Sequence, residues 1–67
     1  MGLYRYRVFS GNSKPDSIED CKAAVEHSIP HGESRIVKRY QGRKKLATYR
    51  VERDIRGGIL WVQLANN

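Results

Sequence analysis

Only one stretch of this 67-residue chain carries a helical period. Ile18, Cys21, Val25 and Ile29 fall on one stripe, with Ala24 beside them, and Pro30 and Gly32 close it because neither continues a helix. Asp16 and Ser17 offer N-cap oxygens. Glu19 follows Asp16 by three residues and Asp20 follows Ser17 by three, so a capping box is available in either register. Both acids also suit the positive end of a helix dipole. Almost everything else alternates in type from residue to residue. A chain with one helix and several strands has few ways to make a core: the helix must roof one face of a sheet.

The strands follow from period two and from the turns between them. Leu3–Phe9 sets Tyr4, Tyr6 and Val8 against Leu3, Arg5, Arg7 and Phe9. Ser10-Gly11-Asn12-Ser13-Lys14-Pro15 reads as a loop. After the helix come Ser34–Gln41, a Gly42-Arg43-Lys44 turn, Lys45–Arg53, a turn at Gly57-Gly58, and Ile59–Leu64. Short turns imply antiparallel hairpins. The prediction is a single α+β domain over residues 1–67, ordered β-α-β-β-β. It has a mostly antiparallel four-stranded sheet with one helix packed on one face.

The helix is expected over Tyr4, Tyr6, Val8, Tyr49, Val51, Leu60, Val62 and Leu64, with Ala47 on the same side of its strand. The other face would display Arg5, Arg7, Arg50, Ile59, Trp61 and Gln63, near Leu46 and Thr48. Ser34–Gln41 has no apolar face, since Ile36, Lys38 and Tyr40 oppose Arg35, Val37 and Arg39. It is therefore assigned to an edge, where a bulge or an inward charge is tolerated.

Charge is segregated along the chain. Between Arg35 and Arg56 there are nine Lys or Arg and two acids, whereas residues 16–33 hold five acids and one Lys. With a formal net charge of +6, this gives the folded domain one basic face, which draws polyanions or acidic protein surfaces. Arg and Lys neutralise phosphates while planar rings stack on unpaired bases. Arg43, Lys44 and Lys45 form a basic hairpin tip that would grip phosphate or acidic side chains. Lys38 and Arg39 extend that strip. Arg5, Arg7, Arg50 and Trp61 make a second contact zone, and Arg53 and Arg56 add charge at the opposite turn.

Size and chemistry weigh against catalysis. A chain this short has one core layer and no room for a deep substrate cleft. No P-loop, dinucleotide fingerprint or nucleophile elbow is present. Cys21, His27 and His31, with Met1, are the only soft ligands, and they leave a zinc site a ligand short, so neither metal nor cofactor is expected. Cys21 is expected to pack on the helix stripe. A single cysteine fits a reducing cytosol, and Arg5 and Arg7 interrupt any signal-peptide core. The expectation is a complete small cytoplasmic protein without membrane contact, of a kind encoded by compact genomes such as those of phages.

The leading expectation is thus a non-catalytic protein whose basic face engages nucleic acid or a nucleoprotein complex. One alternative is a phage-type, anti-CRISPR-like inhibitor docking on a host protein complex. Another is a metal-independent ribonuclease toxin in which His27 or His31 serves as base and acid. Open sheet edges would also allow strand addition or a homodimer.

Overall fold

A computed structural model describes residues 4–11 and 13–66. Met1, Leu3 and Asn12, named above as a soft ligand, a strand residue and a loop residue, lie outside the described residues. The elements are β1 (Tyr4–Phe9), β2 (Ser17–Glu19), α1 (Lys22–Ser28), β3 (Ser34–Gln41), β4 (Lys44–Arg53) and β5 (Ile59–Asn66). The five strands form one antiparallel sheet in the order β2-β1-β3-β4-β5. The α+β class and the lone helix agree with the sequence reading. The sheet has five strands where four were expected.

The added strand comes from the segment read as the helix start. The Asp16 N–H donates to the Val8 carbonyl at 2.7 Å, and Ser17–Glu19 pair with Tyr6–Val8. A β-branched Ile18 suits that pairing. Closing the edge of β1 satisfies main-chain groups that an extra helical turn would have satisfied only internally. The helix starts later, at a different cap: the Cys21 thiol accepts from the Ala24 N–H at 3.4 Å. Cys21 is accordingly exposed and does not pack on the apolar stripe.

The charged strand β3 lies at the centre of the sheet and not at its edge. Val37 is fully buried, and the cations Arg35, Lys38 and Arg39 around it are partly buried. Arg39 stacks over the Tyr4 ring at 4.9 Å, and Arg35 pairs with Glu33 at 3.0 Å. Long cationic stems cover apolar surface while their heads find partners, which is how a central strand tolerates this composition. A bulge interrupts the pairing of β3 with β4, and its extra residue belongs to β4. Arg39 faces Ala47 and Tyr40 faces Lys45, which leaves Leu46 as the extra residue.

Strand β5 presents the opposite face to the one predicted. Val51 pairs with Trp61 and Arg53 with Ile59, which puts Ile59 and Trp61 on the helix side. Leu60 and Leu64 are 56% and 52% exposed. The choice is made by Trp61. Its indole N–H donates to the Glu26 carboxylate on α1 at 2.8 Å, and its ring meets Tyr6 and Tyr49 edge-on at 6.1 and 5.3 Å. A partly buried indole needs an acceptor, and the Glu26 carboxylate on the helix side supplies it.

The core is Tyr6, Val8, Val25, Ile29, Val37 and Val51, bordered by Tyr49, Ile59 and Trp61. All of it lies between α1 and one face of the sheet. The loop after α1 is tied to the end of β4: the Gly32 N–H donates to the Arg53 carbonyl at 2.7 Å, and the Arg53 N–H donates to that of Glu33 at 2.9 Å.

Candidate nucleic-acid interface

Facing residues of antiparallel neighbours share a side of the sheet, so the pairing defines the face turned away from α1. One row across it is Ile18, Arg7, Lys38, Thr48 and Ala65. A second is Phe9, Ile36, Arg50 and Val62, and a third is Arg5, Tyr40 and Lys45. Ser34, Glu52 and Leu60 close the far end. Among the described residues no other element lies over this face. It carries five cations, Arg5, Arg7, Lys38, Lys45 and Arg50, and one acid, Glu52.

Cations and rings on this face are paired. The Arg7 guanidinium lies 4.4 Å from the centre of the Tyr40 ring, and the Lys38 ammonium lies 4.9 Å from that of Phe9. Arg7 remains exposed, and so do Arg5 and Arg50. Arg50 stands 4.0 Å from Glu52, a long and solvent-screened contact that leaves most of its donors unused. Each cation–ring pair fixes a long side chain that would otherwise lose its freedom on meeting a ligand.

The hairpin tip continues the third row. Gly42 takes a left-handed φ of +62°, which closes the turn and leaves Arg43 and Lys44 exposed beyond Lys45. Lys45 joins the tip to the open face, whereas Lys44 faces Gln41, which faces Tyr4, and so lies on the α1 side of the sheet.

Not every predicted residue joins the strip. Trp61 belongs to the helix side, as described, and its predicted place on the open face is corrected. Arg39 also points to the helix side, against Tyr4. Arg53 donates from one guanidinium nitrogen to the Glu26 and Ile29 carbonyls, both at 3.1 Å, and so closes the end of α1. Arg56 is exposed in the turn after β4, apart from the strip. Phe9 and Tyr40 were not singled out as contact residues, although their alternation with Arg5, Arg7 and Lys38 already put them on the same face.

The other candidate chemistry is dispersed. His27 lies in the last turn of α1, and the His31 Nδ1 lies 3.3 Å from the Ile55 carbonyl oxygen in the loop beyond β4. Among the described residues no three His, Cys, Asp or Glu are grouped to hold a metal ion, and no helix is long and apolar enough to cross a membrane.

The fold and this face define a class: a one-helix, five-stranded antiparallel α+β domain with an uncovered face of paired cations and rings. Comparison with protein-family models, curated proteins and solved structures finds no match to this chain.

Proposed function

We propose that this is a non-catalytic binding protein whose open sheet face takes single-stranded nucleic acid. The observation that carries this reading is the strip of five cations interleaved with Phe9 and Tyr40 on a face that no described element covers. Phosphates would meet Arg5, Arg7, Lys38, Lys45 and Arg50. Bases would stack on the guanidinium plane of Arg7, or on the rings once the cations turn toward phosphate. Arg43 would follow the backbone beyond the sheet.

Geometry favours a single strand over a duplex. Five strands at ~4.8 Å spacing span about 19 Å, wider than a major groove of about 12 Å. A single strand has no groove to enter and offers its bases directly to the sheet. The test is fluorescence anisotropy with a labelled oligonucleotide, single-stranded or as duplex, across a salt series. The single strand should bind more tightly. Its affinity should fall by about 0.7 log units per phosphate contact for each tenfold rise in salt. No binding of either form at low salt would overturn this reading and favour an acidic protein surface as the partner.

A further inference from the structure

We infer that β5 is a self-association edge and that two copies of this chain pair through it in antiparallel register. This stands on the sheet edges and not on the nucleic-acid reading. The two edges of the sheet differ. The β2 edge is three residues long and carries Glu19, with Asp20 next to it, which makes it a poor template for another strand. The β5 edge runs for eight residues, Ile59–Asn66, and pairs on its inner side with β4 alone.

The same strand is the only one of the five without a charged residue, in a chain whose formal net charge is +6. Like charges placed against each other across strands are destabilising, and β5 brings none to a pairing with its own copy. Here a second copy finds an apolar margin instead. Leu60 and Leu64 are among the most exposed large apolar side chains of the domain, and Val62 lies between them along the strand.

Register follows from two-fold symmetry. An isologous antiparallel pair centred on Val62 sets Val62 against Val62 of the second copy and Leu60 against its Leu64. All three pairs fall on the side of the sheet away from α1. Trp61 faces Gln63 of the second copy on the helix side. Leu64 is the bulged residue opposite Thr48 and Tyr49, so the bend it introduces ends the straight segment there. The contact is thus short, below the ~1,200 Å² of a stable interface, and the dimer is concentration-dependent. The axis runs perpendicular to the sheet, so both basic strips end up on one side of a ten-stranded surface.

Sedimentation equilibrium over a concentration series tests this with the intact chain. The wild type should move from monomer to dimer as concentration rises. Leu60→Lys with Leu64→Lys in one chain, and Leu60→Glu with Leu64→Glu in another, should each remain monomeric, because every Leu60–Leu64 pair becomes like-charged. Mixing the two should restore a dimer that contains one of each. Both positions are exposed in the monomer, and circular dichroism confirms that each variant is folded. A wild type that stays monomeric throughout overturns the inference. So does a dimer that persists in the Lys variant alone, and so do two folded variants that fail to associate when mixed.

Discussion

Arg53 illustrates how little a residue's type says about its task. In the sequence it is one of nine cations in a basic run. In the fold its guanidinium is the acceptorless donor that satisfies the Glu26 and Ile29 carbonyls at the open end of α1. Hydrogen bonds from a charged donor contribute about 1.5–3 kcal/mol, and partial exposure puts this pair at the low end. Arg53→Ala should therefore lower stability by about 1.5 kcal/mol in urea unfolding. Arg56→Ala, in the exposed turn, should stay within about 0.5 kcal/mol of wild type. Equal effects at the two positions would remove the capping role. Trp61 makes the same point from the apolar side. Trp61→Phe keeps a ring between Tyr6 and Tyr49 but leaves Glu26 without its donor, and should cost about 1 kcal/mol in the same measurement.

At the scale of elements, alternation and turns located β1, β3, β4 and β5 to within two residues at their described ends. They did not settle which side of β5 faces the helix. Both sides of that strand are apolar, Ile59 and Trp61 against Leu60, Val62 and Leu64, so period two has nothing to choose between. The choice depends on Glu26, which is distant in sequence and adjacent only after folding. The face of β1 was readable because Arg5 and Arg7 leave one option. The basic strip was legible for that reason, while Trp61 was assigned to it wrongly. The start of α1 was misread for another reason. Asp16 and Ser17 are good caps, but β1 had an open edge, and tertiary pairing outweighs local propensity. The helix that remains has seven residues and a thiol as its N-cap. Such a short helix depends on its ends. Ser accepts a hydrogen bond better than a thiol does, so Cys21→Ser should stabilise the domain by about 0.5–1 kcal/mol, seen as a higher thermal midpoint under reducing conditions. A lower midpoint would mean that the cap bond contributes little.

For the molecule as a whole, the question is whether position or amount of charge governs binding. Replacing Arg5, Arg7 and Arg50 by Gln lowers the formal net charge from +6 to +3, since three cations are lost. Replacing Lys14, Lys22 and Arg56 by Gln gives the same +3 without touching the strip. If net charge alone draws the ligand, the two triple variants should weaken single-strand binding equally. If the open face holds it, the first should lose both affinity and salt dependence, its slope falling by about 0.7 per phosphate contact removed. The second should keep the wild-type slope and lose only a little affinity through the weaker long-range field. All six residues are exposed, so neither triple variant opens the core. Arg7 and Lys22 each leave a ring uncovered, Tyr40 and Trp61 respectively, which makes the two sets comparable in lost cation–ring contact as well. Far-ultraviolet circular dichroism checks that each triple variant keeps its sheet. Indistinguishable slopes in the two would remove the open face as the binding surface.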